Sequence, residues 1–253
     1  MQRKYSMVFV FILLSVIFVN GVTAATKKQQ EETPYVANFN YTSDSQSATS
    51  STGVTIATIG IPTYITNSKE LWFNTPQFEN FQKALKEDLP KLLTAKGCVV
   101  KGSYDSYEMI PYPDKKKIDL YLTPTVALFI TSKGPSEILP KWVVGMVKIK
   151  GKIMLELREV VTKELMWSKT VEFEEFKFPV YSIKWAEGTN VHKINDVTEK
   201  AVSVNDVTVM NEVAKGIEKQ YPAIMASFFK LIDPEEMIMI KKECQELKSK
   251  KTN

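Results

Sequence analysis

A single histidine, His192, leaves little imidazole chemistry in a chain of 253 residues. It lies in Asn-Val-His-Lys at 190–193, a stretch with no nucleophile elbow, and reads as a loop histidine. Two cysteines, Cys98 and Cys244, exclude a disulfide-dense scaffold and a cysteine-only zinc site. No GxGxxG, Walker lysine motif or GxSxG occurs, so the usual phosphate-cradling and hydrolase signatures are missing. Neither sign of charge dominates: 33 Lys and Arg stand against 29 Asp and Glu, a net charge of +4. That balance excludes a strongly basic nucleic-acid binder. These absences predict a protein without enzymatic activity, bound metal or cofactor.

What is present suits a globular chain: 44% hydrophobic, 25% charged and 11% aromatic residues. Arg3 and Lys4 precede an apolar run at 7–19, and Asn20-Gly21 then leads to Val22-Thr23-Ala24. Charged head, apolar centre and small-residue end form the pattern of a secretory signal peptide over 1–24. A helix of that apolar length rises only about 20 Å, short of the roughly 30 Å of bilayer hydrocarbon. An uncleaved anchor is the rival reading. With no cysteine near the cleavage point, the exported chain is expected to carry no lipid.

Residues 25–53 read as a flexible N-terminal segment, with a short edge strand where Tyr35, Ala37, Phe39 and Tyr41 alternate with polar neighbours. A single α/β domain is expected over 54–232, and a charged helix over 233–253. Residues 54–61 are rich in β-branched side chains and form a strand ended by Gly60 and Pro62. Thr75-Pro76 marks a helix cap, and Phe78, Phe81, Leu85, Leu89 and Leu92 repeat at helical spacing. Pro90 is expected to kink the last turn. Lys96-Gly97 ends the helix, with the lysine at the carbonyl end. A strand begins at Cys98, completing a strand–helix–strand crossover.

Ile118, Leu120 and Leu122 alternate, and Val126, Leu128 and Ile130 continue after Pro124. Val147, Ile149, Ile153, Leu155 and Leu157 then point one way, with Lys148, Lys150, Lys152, Glu156 and Arg158 on the other. Through Thr162-Lys163 this strand turns into Leu165, Trp167, Val171 and Phe173, a long hairpin with one wet face. Gly145 and Gly151 mark bends or bulges. Asp206 caps a helix with the face Val213, Ile217, Tyr221, Ile224, Phe228 and Leu231, kinked at Pro222. Asp233-Pro234-Glu235-Glu236 restarts a helix in the manner of a capping box. The predicted fold class is α+β: an antiparallel or mixed sheet with a long central hairpin, packed against an N-terminal crossover helix and C-terminal helices.

Candidate ligand-binding residues are few. Lys115, Lys116 and Lys117 form the sharpest basic run, suited to an acidic sugar or a phosphate head group. Lys148, Lys150 and Lys152 share one strand face and suit sialic acid, an acidic partner or an anionic membrane surface, or form a plain solvent face diluted by Glu156. Trp142 and Trp185 are candidates for stacking on a sugar, whereas Trp167 follows the inward parity of its strand. Glu172, Glu174 and Glu175 form a charged rim. Cys98 and Cys244 leave two readings open, a disulfide in an oxidising compartment or two buried thiols.

The chain from about 35 to 251 resembles the neuraminyllactose-binding hemagglutinin family of Helicobacter surface adhesins. The resemblance rests on Val36-Ala37 through Tyr41, the helix ending Lys96-Gly97-Cys98-Val99-Val100, the strand Ile118-Asp119-Leu120-Tyr121-Leu122, and the tail Cys244-Gln245-Glu246-Leu247-Lys248-Ser249-Lys250. It implies an exported protein of the outer membrane or flagellar sheath, with a host sialylated glycan as ligand. The chain departs from the family in lacking a lipobox cysteine, and its stretch 131–136 carries one lysine instead of a basic run. The hairpin from Lys152 to Trp167-Ser168 is also similar to that of periplasmic lipoproteins that assist envelope assembly. That likeness implies an envelope protein as partner and a periplasmic place. 

Overall fold

Val54 to Ile59 is buried along almost its whole length, as a β-branched run in the middle of a sheet requires. The structure, a computed structural model, describes residues 33–42, 51–67, 71, 73–139, 142–184 and 207–251. Within them β1 (Thr55–Ile59) is followed by β2 (Thr63–Thr66), helix α1 (Pro76–Ala95), β3 (Val99–Tyr104) and a short helix α2 (Tyr112–Lys115). Then come β4 (Leu120–Leu139), β5 (Trp142–Glu159), β6 (Leu165–Lys184), α3 (Val207–Leu231) and α4 (Pro234–Lys251). The fold is α+β, a mixed six-stranded sheet in the order β3-β1-β4-β5-β6, with β2 also paired to β4.

The crossover β1–α1–β3 closes in parallel, Thr55 beside Val99. β2 is an element the sequence reading did not contain. Gly60 and Pro62 break the strand, and the chain then rejoins the same edge of β4 farther along, Thr63 beside Thr125. Pro124 lies between the stretches of β4 paired to β1 and to β2, where the ladder on that side is interrupted. β4, β5 and β6 form a long antiparallel meander.

Helix α1 buries Phe78, Phe81, Leu85, Leu89 and Leu92, and runs unbroken through Pro90 to Ala95. Its start differs from expectation. The carbonyl of Thr75 accepts the N–H groups of Phe78 and Glu79, while the Thr75 hydroxyl is buried with no partner among the described residues. At its end Gly97 takes φ 81°. The N–H of Cys98 returns to the carbonyl of Leu93 at 3.1 Å and that of Gly97 to Thr94 at 2.9 Å. The Lys96 ammonium does not meet the helix carbonyls; it lies 4.0 Å from the centre of the Phe229 ring.

Tyr35 to Tyr41 keeps the predicted alternation, with Ala37 and Phe39 buried, but it is no edge strand. It is an extended strap held by helix side chains. The Tyr35 N–H donates to Asn211 at 2.7 Å, and the Asn38 N–H to Glu218 at 2.8 Å. Asn80 donates to the Ala37 carbonyl at 3.1 Å. Phe39 meets Phe81 and Tyr221 edge-on at 5.2 and 5.4 Å. Tyr221 in turn donates to Asp88 at 3.0 Å, tying α3 to α1. Burial and Asp88 together hold that phenol protonated.

α3 is continuous through Pro222, and Leu231 is exposed; Ile232 takes the buried place one residue later. The Asp233 carboxylate caps α4 by accepting the Glu235 N–H at 2.9 Å. Glu236 does not close a capping box. It reaches instead to Trp167, whose indole N–H donates to it at 3.0 Å, and to Lys169 at 3.3 Å. Met237, Ile240 and Cys244 bury the inner stripe of α4. Among the described residues no helix is long and apolar enough to cross a membrane.

The main core lies between the sheet and α1, α3 and α4. A second, smaller core forms on the reverse face, where the link from β3 to β4 folds Ile110 and Ile118 over Ala57, Ile59, Tyr121 and Val160. The meander from 146 to 158 keeps its reverse face outward.

Candidate binding face

Val147, Ile149, Ile153, Leu155 and Leu157 are buried, so Lys148, Lys150 and Lys152 project from the reverse face, as the period of two requires. The ladder then decides which charges meet. Lys148 is paired directly with Lys177 of β6, and Lys152 with Glu172. Directly paired residues share a face, with Cβ atoms about 4.5–5.5 Å apart. The positive end of the strip is therefore Lys148 with Lys177, while Glu172 stands opposite Lys152, and Glu174 and Glu175 stand opposite Lys150. Phe129 of β4 is paired with Lys150 and is half-buried on the same face. Neither Lys177 nor Phe129 was identified from the sequence. The parity of β6 changes between Phe173 and Phe176, so period-two counting could not place Lys177.

That change of parity is a bulge. Ile149 pairs with Phe176 and Gly151 with Phe173, so Glu174 and Glu175 oppose Lys150 alone. The Glu174 backbone is completed from α3: its N–H donates to Gln220 at 2.6 Å, and the Gln220 amide donates to its carbonyl at 3.0 Å. Glu175 accepts from the Thr131 hydroxyl at 3.1 Å. Gly151 is required by packing here. A Cβ on it would come within 2.3 Å of Phe173, 2.6 Å of Leu128 and 2.8 Å of the Ala127 carbonyl oxygen.

Lys115, Lys116 and Lys117 are not part of this face. They end the link between β3 and β4, beside the hairpin turn. The Lys115 ammonium lies 3.9 Å from the centre of the Tyr107 ring, and that of Lys163 lies 4.0 Å from the same ring. Lys116 lies 4.9 Å from the Tyr112 ring. Trp142 begins β5, paired with Leu139 and Lys184. Trp185 and His192 lie outside the described residues. Glu172, Glu174 and Glu175 are all exposed.

Cys98 and Cys244 stand as two buried free thiols. Burial pushes the Cys98 thiol up, against the Thr52 hydroxyl 3.7 Å away. Cys244 is pushed up to about 12, first by burial and then by the carboxylates of Glu159 and Asp119. Neither thiol is activated as a nucleophile. The fully buried Glu159 accepts the N–H groups of Val161 and Thr162 and so closes the hairpin turn. Lys248 lies 3.8 Å from Glu159 and 3.9 Å from Asp119, and donates to the Ile118 carbonyl at 2.8 Å. This cluster fastens α4 to the sheet. Among the described residues no group of three or more His, Cys, Asp or Glu side chains is placed to hold a metal ion.

No protein-family model matches the chain, and no curated protein sequence matches it. Solved structures do. A homolog of the neuraminyllactose-binding hemagglutinin from Helicobacter pylori aligns with a TM-score of 0.55 at 15% identity, covering 84% of this chain and 100% of that one. A lipoprotein from Neisseria meningitidis aligns over 53% of this chain and 88% of its own, at 14% identity and a TM-score of 0.21. A minor lipoprotein from Acinetobacter baumannii covers 67% and 90%, at 12% identity and a TM-score of 0.17. The first of these is a distant likeness of fold over most of the chain.

Proposed function

We propose that this chain is a non-catalytic, exported cell-envelope protein that binds an acidic surface of another envelope protein through the reverse face of its β4–β5–β6 meander. The observation that carries the reading is Lys148 paired with Lys177 across the ladder. Like charges directly opposite one another cost stability in a sheet, so the pair calls for a reason other than folding. An acidic partner supplies one, because it relieves the repulsion on binding. The face is built from alternate residues of neighbouring strands, which matches charges spread over a surface. The apolar run at 7–19 supports export, with residence in the periplasm, outer membrane or flagellar sheath.

A second reading has a host sialylated glycan as the ligand. The fold likeness to the H. pylori hemagglutinin homolog favours it, and Phe129 beside Lys150 offers a ring and a cation to an acidic sugar. The test uses exported protein, wild type and the double variant Lys148→Gln/Lys177→Gln. Cross-linking in the native envelope should capture one acidic envelope protein with the wild type and lose it with the variant, while a sialoside array stays at background. Sialoside binding that the variant abolishes would replace the first reading by the second. Capture that the variant leaves unchanged would remove this face from both.

A further inference from the structure

The hairpin turn and the link from β3 to β4 meet at the end of the sheet remote from the strip just described. The Tyr107 hydroxyl donates to the Val160 carbonyl at 2.8 Å, which locks the two loops together. Around this joint lie some of the most exposed large apolar side chains among the described residues. Tyr112 is 72% exposed, Met109 60% and Val161 51%. Lys115, Lys116, Lys117 and Lys163 stand between them, three of these ammonium groups over the Tyr107 and Tyr112 rings.

We infer that this end of the molecule is a docking surface for an anionic phospholipid bilayer. Single apolar side chains project from two turns between lysines, the arrangement of a surface that sets a few side chains into a head-group layer. Tyrosine and methionine can enter the head-group layer while the lysine stems lie along them and the ammonium groups reach lipid phosphates. Acidic groups are present but do not cancel the set. Glu108 is already 3.8 Å from Lys163, Asp105 is held by Lys86, and Asp119 and Glu159 turn inward to Lys248; Asp114 and Glu164 are the remaining carboxylates of these loops. Outward, the four lysines exceed Glu108, Asp114 and Glu164 by one charge, which suits the negative surface of a membrane, where each lysine near the plane contributes about 1 kcal/mol, or about a fivefold gain in partitioning.

This surface is separate from the β5–β6 lysine face, so the two readings fail independently. Exported protein is sedimented with phosphatidylcholine vesicles, with and without phosphatidylglycerol, at low and high salt. The wild type should bind only the phosphatidylglycerol vesicles, and less at high salt. Lys115→Gln/Lys116→Gln/Lys117→Gln should weaken binding by about tenfold or more, and Met109→Ser/Tyr112→Ser should weaken it at both salt concentrations. Lys148→Gln/Lys177→Gln should bind as the wild type does. Circular dichroism checks that each variant is folded. The inference is overturned if the wild type ignores anionic vesicles, if neither loop variant loses binding, or if the strand variant alone loses it. Should the serine pair fail to fold, Tyr112→Ser alone replaces it, since that side chain is mostly in solvent.

Discussion

Leu155 is fully buried and Lys150 is exposed on the same strand, so this pair of residues tests which face of β5 meets the core. Leu155→Ala should cost about 2–5 kcal/mol by leaving a cavity, and Lys150→Ala no more than about 0.5 kcal/mol. Urea unfolding of the two variants measures both; equal losses would mean that the register is displaced by one residue. Gly151→Ala should be costly for the opposite reason, overpacking of about 1–3 kcal/mol, because its new methyl group would meet the Ala127 backbone as well as two side chains. At the two cysteines, burial holds the thiols protonated. Native protein at mildly alkaline pH should therefore react with an aromatic disulfide reagent far more slowly than unfolded protein does, and unfolding should release both thiols. A denatured sample that shows none would establish a bridge.

At the scale of elements, the strap over 34–41 is the informative case. Its alternation was legible in the sequence, and so was its burial; its partner was not. Period-two patterning says which side chains go inward but not whether the backbone pairs with a strand or, as here, with Asn211, Glu218 and Asn80 on two helices. The hairpin, α1, α3 and α4 were legible because each carries an uninterrupted period with turn or cap residues at its ends. β2 was not, because four residues give too short a period, and the β6 bulge was not, because Gln220 repairs it from another element. A strap held mainly by side chains can undock without unfolding the sheet. Phe39→Ala should therefore cost less than the roughly 3–5 kcal/mol typical of a core phenylalanine. Limited proteolysis should instead show early cutting within 33–42, with the remainder of the chain intact. Global destabilisation at the full core value would show that strap and sheet form one cooperative unit.

For the whole molecule, the two faces of the sheet have different tasks. One is closed by α1, α3 and α4 over a continuous apolar core; the other is covered by the β3–β4 link near β1 and presents its charged side along the meander. The candidate lysines were legible as a strip, since a period of two places them, but the pairing of Lys148 with Lys177 depends on a register that crosses a bulge. That pairing predicts a trade between stability and binding. Lys177→Gln removes a repulsion from the free protein, so its stability should rise by about 0.2–1 kcal/mol. The gain should be largest at low salt, since salt screens exposed charges and already relieves the wild type. Lys152→Gln should do the reverse, because Lys152 faces Glu172 and its loss leaves a carboxylate without its cross-strand partner. Urea midpoints for both variants at two salt concentrations measure the difference, and partner capture from the envelope should fall for Lys177→Gln even as its midpoint rises. A midpoint that falls at low salt would mean that the Lys148–Lys177 contact is not repulsive, and the face would lose its reason to seek an acidic partner.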